Sequence, residues 1–218
     1  MNKACLFVLL SFMVVGTVYA DYRKFEYEVT VTNLTKGQAF TPILAATHNS
    51  EYNLFNLGES ASESLVAIAE GGNIAPLKAM LDEMPRQVSD TASTEGLLMP
   101  GQSSSFRLST HRQRLMLSLV SMLIPTNDTF VALNAVRLPY RYSKVYFANA
   151  YDAGSEMNDE FCMNIPGPVC GGVGPSPDDE GEGFVHFSAG IHGEGELQAS
   201  AHDWRGAVAK IEIKRVFH

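Results

Sequence analysis

The sequence predicts a mostly β protein, an antiparallel β-sandwich with two short helices near one end. Three observations predict it. Several segments alternate apolar and polar residues with the period of a half-buried strand. The segments are short and separated by turn residues, as in stacked antiparallel sheets. Two stretches early in the chain show helical spacing instead.

The first strand is "KFEYEVTVTNL". Phe25, Tyr27, Val29 and Val31 fall on one face, and Glu26, Glu28, Thr30 and Thr32 on the other. "SASESLVAIAEGG" reads as a helix capped by Ser60, with Glu63 completing a capping box and Gly71 and Gly72 ending it. "NIAPLKAMLDEM" reads as a second helix, capped by Asn73. Leu77, Met80, Leu81 and Met84 lie on one side, and Pro76 sits in the first turn, where its missing N–H is harmless. After the turn at Pro100 and Gly101 come "SSFRLST", "RLMLSLVSMLI", "TFVALNAV", "SKVYFANA", "GFVHFSAG" and "AVAKIEIKRV", all read as strands.

The chain opens with Lys3, an apolar run and the small-residue end "VYA", the pattern of a secretory signal peptide cleaved after Ala20. Residues 21–218 are then expected to be one domain, secreted or periplasmic, with no stable membrane span once the signal is gone. Cleavage removes one lysine and no acid. The mature chain is therefore one unit more negative than the −8 of the whole sequence. That balance, without a basic block, argues against nucleic acid and against an anionic bilayer. Cys162 and Cys170 are the two cysteines left, and an even count in an exported chain reads as a disulfide. The bridge would tie a Pro- and Gly-rich stretch that carries no strand or helix signal, and is worth roughly 2–3 kcal/mol in the chain-entropy model.

The acids of "YDAGSEMNDE" are the strongest chemical signal. A hairpin turning at Tyr140 places Asp128 opposite Asp152. Two like charges facing each other repel, and a cation is the simplest offset. Gly154 allows the chain to fold Glu156 back toward them. Three carboxylates with loop carbonyls are hard oxygen ligands suited to Ca²⁺, whereas Mg²⁺ demands a stricter octahedron. A solvated acidic turn remains the alternative, since the spacing is not that of an EF-hand. Asp159 and Glu160 read as solvated neighbours. Asp178, Asp179, Glu180 and Glu182 read as a solvated loop. His186, His192 and His202 do not define a zinc site by sequence. Trp204 reads as a packed turn residue. Asn33 in "NLT" and Asn127 in "NDT" are glycosylation acceptors only in a eukaryotic secretory route. No Gly-x-Ser-x-Gly elbow, His-Glu-x-x-His pair or phosphate loop occurs.

The chain resembles the spondin domain, the amino-terminal module of the F-spondin and mindin family of matrix proteins. The resemblance runs from about Tyr27 to Val216. It rests on "YEVTVTNLT", "FTPILAATH", "LFNLGESASESLVAIAEGGNIAPLKAML", "PTNDTFVALNAVRL", "YDAGSEMND" and "AVAKIEIKRV". It implies a C2-like sandwich with Ca²⁺ at one end. It implies Asp128, Asp152 and Glu156 as acidic ligands and the Ala153 carbonyl as a further one. Thr129 stands where animal members carry tryptophan, Glu156 stands where they carry aspartate, and the hairpin is shorter. No thrombospondin repeat follows, so a free-standing domain is expected, and its signal and size suggest a bacterial source. The function implied is extracellular binding or adhesion toward a protein or glycan ligand, without catalysis and with calcium mainly structural. The rival reading is a metal-dependent envelope hydrolase, which needs a base or nucleophile beside an open metal position.

Overall fold

The structure is a computed structural model and describes residues 24–175 and 180–217. The expected signal peptide and Asp178 and Asp179 lie outside the described residues. The strands are β1 (Lys24–Asn33), β2 (Ala39–Phe40), β3 (Leu44–His48), β4 (Val88–Ser93), β5 (Ser103–His111), β6 (Met116–Ile124), β7 (Thr129–Arg137), β8 (Ser143–Ala148), β9 (Ala150–Asp152), β10 (His186–Phe187) and β11 (Ala209–Val216). Helices are α1 (Glu63–Gly71), α2 (Ala75–Asp82) and the single turn α3 (Ala199–His202).

Two antiparallel sheets form the sandwich. The smaller has the order β5-β1-β11-β8, and the larger β10-β9-β7-β6-β3-β4, with β2 added beside β6. The alternation in β1 is realised. Tyr27, Val29 and Val31 are buried between the sheets, and Phe25 is half-buried at the strand's start. On the outward face Thr30 and Thr32 meet Ser105 and Ser103 of β5 at 2.7 and 2.8 Å. Ile211 and Ile213 of β11 join the same core, facing Leu117, Leu119, Leu123, Val131 and Leu133 from the larger sheet.

β3 and β6 are buried on both faces, because the larger sheet is covered a second time. Leu44, Ala46, Val120, Phe130 and Ala132 point away from the sandwich core and pack with Leu65, Ile68, Leu77 and Leu81 of the two long helices. The helices therefore lie on the outer face of the larger sheet, where an end position was expected. This explains why "RLMLSLVSMLI" reads as a continuous apolar run. It also explains why β3, "LAATH", shows no alternation: all five residues are buried.

The helix caps need one adjustment. The Leu65 N–H donates to the Ser62 hydroxyl, so Ser62 caps α1 in place of Ser60. Gly72 ends α1 in the left-handed conformation at φ 64°, and a Cβ there would collide with Thr41. Asn73 Oδ1 accepts from Ala75 N at 3.1 Å, and Pro76 lies in the first turn of α2. Leu77 and Leu81 are buried, whereas Met80 is exposed.

The expected hairpin from β7 into the following strand is not formed. β8 pairs with β11 of the smaller sheet, and the chain crosses sheets at Asn149. Only β9 returns to β7, with Thr129 opposite Asp152, one residue out of the expected register. Paired edges and two separate cores decide this, not the turn chemistry around Pro139. The disulfide Cys162–Cys170 is present. It packs with Ile165, Ile191, Leu197 and Trp204 in a small core of its own, which holds much of the irregular stretch before β11.

Candidate metal centre

Three strand ends build the site. Asp128 immediately precedes β7, Asp152 ends β9, and His186 begins β10, opposite Asp152. The Ala153 N–H donates to the Asp128 carbonyl at 3.2 Å, which clips the acidic loop to the start of β7. Asp128 and Asp152 thus meet at one rim even though the hairpin that predicted the meeting is absent. Glu156 joins them through its backbone N–H, which donates to Asp128 Oδ2 at 3.1 Å. All three residues are buried, Asp128 completely.

The two oxygens of Asp128 have different surroundings. Oδ2 accepts from Ser155 N at 2.8 Å, from Glu156 N and from the Ser155 hydroxyl. Oδ1 is buried and accepts no hydrogen bond from any described residue. Asp152 is held by Gly154 N on Oδ1 at 2.8 Å and by Asn158 Nδ2 on Oδ2 at 2.9 Å. Gly154 makes this turn at φ 65°, and a Cβ would run into the Phe184 backbone. Burial, then the neighbouring Asp152 charge, pushes the Asp128 carboxyl up to about 7, against the pull of the Ser155 and Glu156 amides. Burial also raises Asp152, partly offset by Gly154 and Asn158. A bound cation would reverse both trends by favouring the ionised forms. The orphaned Asp128 oxygen and the hard oxygen donor set fit a calcium-like ion.

The structure adds two residues the sequence left aside. His186 Nε2 lies 3.5 Å from Asp152 Oδ1 and 3.4 Å from Glu182 Oε2. Asp152, Glu182 and His186 together form a group whose ligand atoms lie within 4.8 Å of one another, and which could hold a metal ion. Burial alone would lower the His186 pKa. The Phe187 carbonyl, Asp152 and Glu182 outweigh it and raise the pKa. No local spacing announces this group, because it depends on β10 pairing with β9 across more than thirty residues of chain. His192 and His202 do not join it. The His192 N–H donates to Glu160, and His202 Nδ1 lies 3.3 Å from the Gly37 carbonyl.

Glu160 is not a solvated neighbour. It is buried, and its carboxylate accepts from His192 N at 2.6 Å, Gly193 N at 2.7 Å and Glu194 N at 3.0 Å. Asp159 is half-buried and accepts from Asn127 Nδ2, Phe161 N and Asn164 Nδ2. Both acids are committed to folding the loop. The two glycosylation sequons are closed as well. Asn33 is fully buried, its amide donating to the Gln38 and Leu98 carbonyls, and Asn127 is buried against Asp159. Trp204 packs as expected, against both the sandwich core and the disulfide core. A hollow of about 460 Å³ opens beside the acidic loop, lined by Ser60, Val66 and Glu70 with Gly154 and Ser155.

Residues 26–162 match the family model described as Spondin_N, which is more than half of the chain. The match contains Asp128, Asp152, Ala153 and Glu156, and it ends before Glu182 and His186. No curated protein matches the chain.

Proposed function

The chain belongs to the Spondin_N family, and from that premise we propose that it is an extracellular Ca²⁺-binding sandwich that acts by binding or adhesion. The family is one of non-enzymatic extracellular domains, and the Cys162–Cys170 disulfide fits an oxidising setting. Among the described residues no helix is long and apolar enough to cross a membrane.

In this reading the ion sits between the carboxylates of Asp128, Asp152 and Glu156, with the Ala153 carbonyl as a further donor. The observation that carries it is the buried Asp128 Oδ1, which accepts no hydrogen bond from any described residue while a second buried carboxylate stands nearby. Leaving a charged oxygen buried without a partner is costly, and a cation removes that cost. When bound, Ca²⁺ supplies positive charge and fixes loop geometry. The chain's own residues orient the loop. The Ser155 and Glu156 amides aim Asp128, Gly154 permits the turn, and Asn158 steadies Asp152. The loops so fixed, with the hollow between them and α1, form the recognition surface for a protein or glycan ligand.

Thermal melting of the full chain tests the ion. Ca²⁺ should raise the melting temperature over chelator, and Asp128→Asn should abolish the rise. Identical melts in Ca²⁺ and chelator would overturn the site. A screen of ester, glycoside and phosphate substrates tests the mode of action. Turnover lost in Asp152→Ala but kept in a distant variant would replace the binding reading with a hydrolase.

A further inference from the structure

We propose that Asp152, Glu182 and His186 form a second cation position, one that takes a divalent transition ion of the Zn²⁺ class and shares Asp152 with the calcium position. The inference goes beyond the calcium reading and uses different donors for all but that one ligand.

The backbone holds the three groups in place. His186 and Asp152 face each other across the β9–β10 pair. Glu182 is brought over by its neighbour, since the Gly183 N–H donates to the Gly154 carbonyl at 2.8 Å. The Val185 N–H donates to the Glu59 carbonyl at 2.8 Å, which anchors the approach to β10. Two of the ligand residues therefore rest on the strand pair, and the third is clipped to the acidic loop.

Spacing and tautomer both fit a nitrogen- and oxygen-ligated ion. Zinc bonds to nitrogen and carboxylate oxygen are about 2.0–2.1 Å, so neighbouring donors in a tetrahedral site stand about 3.4 Å apart. His186 Nε2 stands 3.4 Å from Glu182 and 3.5 Å from Asp152. A protonated histidine bridging two carboxylates would instead direct its N–H at one of them, at about 2.7–2.9 Å. Here Nε2 is buried, both carboxylates lie beyond that range at 3.5 and 3.4 Å, and no other hydrogen-bond partner is found among the described residues. The other ring nitrogen, Nδ1, lies 3.0 Å from the Phe187 carbonyl. Donation from Nδ1–H to that carbonyl leaves the Nε2 lone pair aimed at the two carboxylates, the arrangement in which metal-binding histidines are held. Two carboxylates and a neutral imidazole match a divalent charge. The imidazole favours a borderline-soft ion over Ca²⁺, which takes oxygen. Three protein donors leave one position for water or for a group on a partner molecule.

The test uses the full, metal-free chain with ZnCl₂ and CaCl₂ as separate probes, read by calorimetric titration and by melting temperature. Wild type should bind one Zn²⁺ with a melting rise. His186→Ala and Glu182→Gln should each weaken Zn²⁺ binding at least tenfold and keep the Ca²⁺ response. Asp128→Asn should lose the Ca²⁺ response and keep Zn²⁺ binding. Asp152→Asn should lose both. Glu182 is exposed, so Glu182→Gln provides the test even if a His186 variant folds poorly. Zn²⁺ binding of equal strength in wild type, His186→Ala and Glu182→Gln would overturn the proposal, as would no Zn²⁺ binding by wild type. Loss of the Ca²⁺ response alone would defeat the calcium site and leave this one standing.

Discussion

Asp128 and Glu160 are both buried carboxylates at one rim of the sandwich, and the fold treats them in opposite ways. Glu160 has both oxygens met by the three successive backbone N–H groups of residues 192–194. That is a backbone nest, which satisfies an anion without any ion. Among the described residues, Asp128 has three donors crowded on Oδ2 and none on Oδ1, with Asp152 close enough to raise its pKa. In the proposed calcium reading, the difference separates a structural acid from a candidate ligand acid. Burial alone does not point to a cation; an incompletely satisfied buried oxygen beside a second carboxylate is what motivates the proposal.

Glu160→Ala should have the largest effect on the metal-free protein. It removes the acceptor that the N–H groups of residues 192–194 share and the buried carboxylate that ties them down, and should cost about 3 kcal/mol in urea unfolding. Hydrogen exchange should quicken across residues 191–197, and Ca²⁺ should not repair either effect. If Ca²⁺ restored the stability of this variant, the division between the two acids would collapse.

Asp128→Asn should act in the opposite pattern. Without metal it should be neutral or mildly stabilising, because it relieves like-charge repulsion. With Ca²⁺ at a hundredfold excess over its Kd, it should forfeit about 2.7 kcal/mol of linked stability, or roughly 5–10 °C in melting temperature for a chain of this size.

Gly154→Ala should cost about 2 kcal/mol, from a side chain in the left-handed region and the collision with the Phe184 backbone. Its damage should spread to the Ca²⁺ response, since this turn positions both Asp152 and Glu156. A variant that lost stability yet bound Ca²⁺ normally would show that the turn serves the fold alone.

The smallest effect concerns a third buried polar group, far from any ligand. His48 is fully buried, with Nδ1 2.6 Å from the Asn49 carbonyl and Nε2 2.8 Å from the Ser118 hydroxyl. Ser118 in turn accepts from Ala135 N, at the register shift between β6 and β7. Burial holds the His48 pKa below its ordinary value. The neutral ring is thus favoured in the folded state. Its contribution is complete above about pH 6.5 and is lost as the pH falls from there toward the lower folded pKa. Urea unfolding across that acid range should show the loss, and His48→Gln should flatten it.

Much of this molecule is legible in its residues. The alternation of β1 and β11, the capping glycine after α1, Pro76 in the first turn of α2, and the paired cysteines each depend on local stereochemistry or on period. That is why they can be read without coordinates. The meeting of Asp128 and Asp152 is expected from a hairpin that does not form; β9 alone, one residue out of that register, brings them together, while Gly154 folds Glu156 back as the loop sequence suggests. What reasoning along the chain missed depends on distant partners. β3 hides because both its faces are covered, by the other sheet and by the helices. The crossing at Asn149 hides because sheet choice follows which core each strand completes. Glu160 reads as solvated until the turn at 192–194 folds over it, and His186 reads as an ordinary strand histidine until β10 pairs with β9. Local propensity fixes what a segment can become. Only the packed structure, by choosing which buried charges receive a full set of partners, decides which acids hold the fold and which are left as candidates for a cation.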